Sequence, residues 1–307
     1  MNDVREKKIF VGLSGGVDSA VSAALLQRAG AKVIGVFIKG WYPPGMPCTW
    51  ASERRDAMRV AARLHIPFQT LDASAEYKKS VIDYLVSEYR AGRTPNPDVM
   101  CNREVKFGAF YRYAMEAGAD AIATGHYRAG EKDQSYFLWA VPKAVLDATL
   151  FPVGEMDKSA VRALAKKFNL PVAEKRDSQG VCFLGSVSVR EFLEQEFGSD
   201  NPAILYTIGQ RVEGGYVVSK DVEQKTIAVA KTRPPGACEV MFTDSNWFSD
   251  ASHTTEAQYR YRGPRVSGRV ENSRFIADTA LPEVPAPGQS IVFYDKEILI
   301  GGGIIAI

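Results

Sequence analysis

Cysteine is scarce in this chain. Four occur in 307 residues, at Cys48, Cys101, Cys182 and Cys238, and no two form a CxxC pair. That excludes a disulfide scaffold and argues against a structural zinc site. In a reducing compartment such thiols are core filler or reactive groups, and their neighbours decide which. Histidine is scarcer, at three residues. No apolar run reaches the roughly 18–20 residues that a membrane helix needs. The first residues carry acids and no apolar signal region, which predicts a cytoplasmic protein without a membrane partner. An excess of one charge is also missing, since 38 Lys and Arg against 36 Asp and Glu leave +2. This near balance excludes a histone-like binder acting by bulk charge and leaves room for a local basic face. Hydrophobic residues at 46% and charged residues at 24% exclude a mostly disordered chain. At this length two domains, or three small ones, are expected.

The first half alternates strand and helix signals. Residues 8–13, 32–38, 67–71 and 119–123 read as strands, and 17–29, 52–64, 74–90 and 103–117 as helices. Strands separated by helices imply a parallel sheet covered on both faces, with ligands at the carboxyl ends of the strands. After helices at 157–169 and 190–197, short strand runs and Pro/Gly turns take over, at 215–218, 226–230, 268–270, 290–294 and 298–300. The expected fold class is therefore α/β, a parallel-sheet domain followed by small central and C-terminal antiparallel β domains of barrel type.

The strongest local signal is Ser14-Gly15-Gly16-Val17-Asp18-Ser19, between a strand and a helix. Two glycines let the backbone approach an anion, and the amides of the turn and helix start point at it. Ser14 and Ser19 add hydroxyl donors. Asp18 is a carboxylate beside phosphates, suited to helping hold Mg²⁺. No Gly-Lys-Ser/Thr follows and there is no GxGxxG, so this is neither a kinase-type P-loop nor a dinucleotide turn.

Two cysteines have suggestive neighbours. Residues 91–107 read AGRTPNPDVMCNREVKF. Pro95 and Pro97 predict a rigid loop before the next helix, carrying Asp98 and Cys101. Arg93, Arg103 and Lys106 nearby favour a thiolate and suit RNA phosphates; the alternative is a buried structural Cys. Cys182 sits in Asp177-Ser178-Gln179-Gly180-Val181-Cys182-Phe183-Leu184-Gly185, a turn-rich stretch suited to a travelling thiol or, alternatively, to a small core residue. Cys48 and Cys238 lack such context and read as structural.

The loop resembles the SGGxDS pyrophosphate loop of the N-type ATP pyrophosphatases. In order along the chain, GLSGGVDS, GRTPNPDVMCNREVKFGAF, ATGHY, KDQSYF, LFPVGEM, DSQGVCFLG, YTIGQR and PGQSIVFYD with a GGG ending are similar to the motifs of the tRNA-specific 2-thiouridylases. The matches span most of the chain, whereas other pyrophosphate-loop enzymes share only the first motif. The resemblance implies a catalytic domain at 1–197, a reduced central β domain at 198–234 and a C-terminal β-barrel at 235–307.

It also implies a reaction. The C2 oxygen of the wobble uridine of tRNA attacks the α-phosphate of ATP, pyrophosphate leaves, and sulfur then displaces AMP. Gly12, Leu13, Ser14, Gly15, Gly16, Val17, Asp18 and Ser19 would bind ATP, with Ile38 and Gly125 lining the adenosine pocket. Mg²⁺ would accompany the nucleotide, with Asp18 as its protein ligand. Asn96, Pro97 and Asp98 would contact the flipped-out base. Cys182 would carry sulfur as a persulfide, Cys101 would act as the second thiol and end in a disulfide with Cys182, and Asp98 would serve as acid/base. Free sulfide and the persulfide itself both remain open as the attacking species. Lys132, Asp133, Gln134, Arg260 and Tyr261 fall where the family touches tRNA; read alone, the Arg/Tyr alternation is equally a solvated strand face. His126 is expected to shape the nucleotide pocket and not to bind zinc. A persulfide donor, such as a cysteine desulfurase or relay protein, and a monomeric state complete the expectation.

Against the family pattern, residues 128–131, 197–205 and the stretch after Arg211 are short. The departure touches the docking scaffold and spares the catalytic motifs. Two competing readings are another adenylating enzyme of the superfamily, which would not need Cys101 or Cys182, and a reduced paralogue that binds tRNA or a sulfur carrier without turnover.

Overall fold

The computed structural model describes residues 3–45, 49–176 and 188–306. Cys48 and Cys182, with its flanking motif, lie outside the described residues. The chain forms two compact units, one of residues 3–80 and 101–176 and the other of residues 81–100 and 188–306.

The first unit is built on five parallel strands, β1 (Lys8–Gly12), β2 (Lys32–Lys39), β3 (Phe68–Asp72), β4 (Ala121–Ala123) and β5 (Thr149–Leu150), in the order β3-β2-β1-β4-β5. Alternation along β1 explains why both faces are covered. Ile9 and Val11 enter one apolar cluster with residues of the helices α1 (Val17–Arg28), α2 (Trp50–Leu64) and Lys158–Lys167, while Phe10 enters another with Phe107, Phe110 and Leu138. A strand buried on both faces reads as a continuous apolar run, as Ile9-Phe10-Val11 does. Strand order reverses about β1, with β2 on one side and β4 on the other. Ligands on such sheets sit where the order reverses, outside the carboxyl ends of the strands.

Helical turns α3 (Ser74–Tyr77) and α4 (Asp83–Arg90) are joined by a π-helical stretch, Lys78–Ile82. A second helical run begins with α5 (Pro97–Met100), continues as π-helix over Cys101–Ala109 and ends in α6 (Phe110–Glu116). The sequence predicts a loop until about residue 103; the helix instead starts at Pro97. Proline is compatible with the first helical position because that amide has no partner inside the helix. Asn96 completes the start, its Oδ1 accepting from the amides of Asp98 (3.2 Å) and Val99 (3.4 Å). Cys101 is therefore a helix residue, at the junction where α turns pass into π. Such irregular turns are frequent at functional sites.

In the second unit, helix α9 (Val189–Phe197) opens with a Ser188/Glu191 capping box, followed by α10 (Pro202–Leu205). A three-stranded sheet follows, β6 (Arg211–Val212), β7 (Gly215–Asp221) and β8 (Thr226–Ala230). The last six strands, β9 (Glu239–Trp247), β10 (Glu256–Gln258), β11 (Val266–Glu271), β12 (Arg274–Ala277), β13 (Ser290–Asp295) and β14 (Ile298–Ile305), close a barrel. The barrel expected from the turn pattern is present. Its core holds Val240, Phe242, Phe275, Phe293 and Ile300, with Phe293 stacked on Trp247 at 5.0 Å. Strands β6, β10 and β12 are not among the expected strands, and β9 is expected only as a β-like stretch around Cys238. Its Val240 and Phe242 face inward, but the polar residues Thr243-Asp244-Ser245-Asn246 mask the alternation. Cys238, just before it, is exposed and is not core filler. Among the described residues, no helix is long and apolar enough to cross a membrane.

Candidate nucleotide and thiol site

The glycine-rich loop leaves β1 at the sheet's reversal point and runs into α1. Gly15 has φ +75°, and a Cβ there would stand 2.4 Å from the Glu53 carbonyl oxygen, so only glycine allows this turn. Ser14 and Ser19 brace it. Their hydroxyls are 3.2 Å apart, and the Ser14 amide donates to Ser19 Oγ at 3.3 Å. Helix α1 starts after Gly16 without a side-chain cap. Its first amides are thus available to an anion, and the helix dipole favours negative charge there. Gly125 follows the end of β4, and a Cβ on it would come within 2.7 Å of the Ser19 amide nitrogen. Predicted loop residues Gly12 to Ser19 and Gly125 are therefore brought together. Ile38 lies near the end of β2, opposite Leu71 on β3, half-buried against the second apolar cluster.

Two lysines join the loop from far along the chain. Lys158, at the start of α8 (Lys158–Lys167, after α7 at Lys143–Asp147), donates to both carboxylate oxygens of Asp18 at 2.7 and 2.8 Å. Tyr127 Oη donates to the same carboxylate at 2.7 Å. Lys175 donates to the Gly15 carbonyl at 3.1 Å and to Asp56 Oδ2 at 2.7 Å. Sequence reasoning missed both. Lys158 directly follows a noted motif and its helix N-cap, Asp157, but nothing in periodicity separates such a lysine from a solvated one. The Lys158–Asp18 and Lys175–Asp56 pairs bracket the loop with cations whose counter-charges a phosphate chain would replace.

His126 is half-buried beside Phe107 and Phe151, with Nδ1 2.9 Å from Thr124 Oγ1. Burial, aided by the Lys106 charge, lowers its pKa to about 3. The ring is neutral in the fold, and among the described residues no group of three or more His, Cys, Asp or Glu is placed to hold a metal ion. Because the folded pKa lies below the ordinary 6.5, the stabilisation is complete above about pH 6.5 and is lost as pH falls towards 3. Between these limits His126 contributes a slope of about 1.4 kcal/mol per pH unit. Chemical unfolding of wild type and His126→Gln across pH 4–7 checks this. The variant's acid limb is expected to be flatter, and equal slopes would remove the assignment.

Cys101 is buried, at 3% exposure, at the start of its π-helical stretch. The neighbouring Asn102 donates through Nδ2 to the Phe137 carbonyl at 3.0 Å, tying this helix to the segment after Lys132-Asp133-Gln134. In that segment Gln134 is engaged internally, its Oε1 accepting from the Tyr127 amide at 3.1 Å. Lys132 ends a 3₁₀ turn, and Asp133 Oδ1 accepts from the Ser135 amide at 2.8 Å.

In the second unit, Asn96, Pro97 and Asp98 form the first helical turn described above. The preceding chain is buttressed by the Pro287-Gly288-Gln289 turn. Thr94 donates its amide to the Pro287 carbonyl at 2.8 Å, and Gln289 Nε2 donates to the Thr94 carbonyl at 2.7 Å. Arg260 faces Glu283 at 3.1 Å, and Tyr261 has the Arg262 guanidinium 5.3 Å from its ring centre.

A parallel α/β sheet with this loop at its reversal point, an uncapped helix start and two flanking lysines defines the pyrophosphate-loop class of nucleotide-binding proteins. A family model described as tRNA methyl transferase HUP domain matches residues 7–186, and one described as aminomethyltransferase beta-barrel domain matches residues 238–305. A tRNA-specific 2-thiouridylase of Streptococcus sanguinis is 36% identical, over 99% of this chain and 96% of that protein. One from Geobacillus kaustophilus is 38% identical, over 98% and 95%. One from Christiangramia forsetii is 48% identical, over 65% and 56%. The chain belongs to the tRNA-specific 2-thiouridylase family. The first of these alignments runs over 361 positions, so at least 54 have no residue in this chain of 307. This chain is therefore shorter than that relative over the span they share.

Proposed function

We propose that this protein uses ATP to activate C2 of the wobble uridine of tRNA and replaces its oxygen with sulfur, forming 2-thiouridine. The observation that supports it most is the bracing of the Ser14–Ser19 loop by Lys158 and Lys175 at the sheet's reversal point, in a chain whose full-length relatives are thiouridylases. ATP phosphates sit on the loop amides, Lys158 and Lys175. Asp18 is a single carboxylate, which fits Mg²⁺ held chiefly by nucleotide oxygens and water and not by a protein cage. When bound, the ion neutralises phosphate charge.

The uridine C2 oxygen attacks the α-phosphate and pyrophosphate leaves. Asn96, Pro97 and Asp98 receive the extruded base, and Asp98 handles protons at the reacting uridine. The terminal sulfur of a Cys182 persulfide forms the bond to C2 and AMP departs with the former C2 oxygen. Cys101 thiolate attacks Cys182 Sγ, which frees the transferred sulfur and closes a Cys101–Cys182 disulfide. A thiol reductant reopens it. Lys132, Asp133, Gln134, Arg260 and Tyr261 hold the tRNA. The same reading divides the chain into a catalytic part, 1–197, a reduced central part, 198–234, and the barrel part, 235–307. It takes the protein as a cytoplasmic monomer supplied by a persulfide donor.

The test is mass spectrometry of tRNA nucleosides after incubation with unmodified tRNA, Mg-ATP and a persulfide-generating donor. 2-Thiouridine is the expected product. Its absence, where a full-length family member makes it under the same conditions, would favour the binding-only paralogue.

A further inference from the structure

The second unit buries a carboxylate that no motif of the family mentions. Glu283 is 7% exposed and sits between two arginines. Its Oε1 is 3.1 Å from an Arg260 guanidinium nitrogen, and its Oε2 is 2.8 Å from one of Arg233. The Oε2 contact is ionic and lacks the alignment of a hydrogen bond. The two arginine side chains stay 39% and 43% exposed. Arg233 is steadied further, 4.9 Å from the Tyr216 ring centre and within 3.5 Å of the Gly209 carbonyl. Beside Arg260 opens a polar cavity of about 160 Å³, with Thr94, Thr207, Tyr259 and Gln289 among its walls.

A buried carboxylate is costly unless compensated, and two adjacent guanidiniums repel one another unless an anion lies between them. Each solves the other's problem. The trio carries a net charge of +1, which matches one phosphodiester. Arginine's planar fork suits phosphate oxygens better than an ammonium does. The fixed, half-exposed pair is thus built to face an anion with little ordering left to do.

We propose that Glu283 is a positioning residue that holds Arg233 beside Arg260, so that both guanidiniums take one phosphodiester of the bound tRNA. Arg233 is the additional contact. This inference rests on the reading of tRNA as substrate.

Binding of unmodified tRNA to the full-length protein is measured between about 50 and 200 mM salt, with ATP binding and thermal melting as controls. Arg233→Ala is expected to weaken tRNA binding roughly 5–30-fold and to lower the salt slope by about 0.7–1. Arg233→Lys keeps the slope and recovers only part of the affinity. Glu283→Gln weakens tRNA binding despite removing a negative charge, and it leaves ATP binding unchanged. In an Arg233→Ala/Arg260→Ala background, Glu283→Gln has no further effect. Tighter or unchanged tRNA binding by a folded Glu283→Gln variant overturns the proposal. So does an Arg233→Ala variant with wild-type affinity and slope. Wild-type protein that binds no tRNA would instead bring down the functional reading itself, and this inference with it.

Discussion

A Cys182→Ser variant is expected to form no 2-thiouridine, a loss of roughly 1000-fold or more, since serine cannot carry a persulfide. Binding of ATP and tRNA should survive, because the atoms proposed to hold the phosphates belong to the Ser14–Ser19 loop, Lys158 and Lys175, which pack without Cys182. The chemistry also predicts an intermediate outcome that a merely unfolded variant would not give. In the proposed reaction adenylation precedes sulfur transfer, so one equivalent of pyrophosphate should appear in a burst and then stop. Rapid-quench measurement of pyrophosphate, beside nucleoside mass spectrometry, checks both. Thiolation by the variant, or loss of its ATP binding, would contradict the persulfide role. Cys101→Ser should resemble it in product yield while differing in one respect. It should accept persulfide sulfur on Cys182 from the donor and fail to close the disulfide.

The second large effect concerns Lys158. Its ammonium touches both oxygens of Asp18, and the side chain is only 17% exposed. When phosphates occupy the loop, this fixed cation faces negative charge that grows as the α-phosphate bond to pyrophosphate breaks. Removing one such preorganised donor costs on the order of 100–1000-fold in rate. Lys158→Met, which keeps the aliphatic stem, is expected to lower tRNA-dependent pyrophosphate release by that much. Asp18→Asn should lower it too, and the double variant should fall short of the product of the two, because the residues act as one unit. Pyrophosphate release by a folded Lys158→Met variant within about threefold of wild type would refute the role. Breaking a partly buried ion pair also destabilises the fold, so melting curves accompany the kinetics.

The phosphate loop was legible because its chemistry is local. Six consecutive residues between a strand and a helix already determine a tight turn, two hydroxyls and a helix start aimed at an anion. The parallel sheet was legible for a similar reason: Ile9-Phe10-Val11 has no polar face, and only a strand covered on both sides tolerates that. The start of the helix at Pro97 was misread because proline excludes helix in an interior and favours it at the first position, and the pattern alone does not say which applies. The extent of strand β9 beyond the β-like stretch at Cys238 is hidden by outward polar residues that a closed barrel accepts on its solvent side.

The fold class, the phosphate loop, the order of the motifs and both candidate thiols are legible along the chain because each is a property of sequence neighbours. Folding is what brings Lys158 and Lys175 to a loop some 140 and 160 positions earlier, keeps His126 neutral, and sets Glu283 between Arg233 and Arg260. The reason is physical. An ammonium, an imidazole or a carboxylate acquires its charge state and its role from what surrounds it after folding, and those surroundings come from chain segments that no local pattern connects.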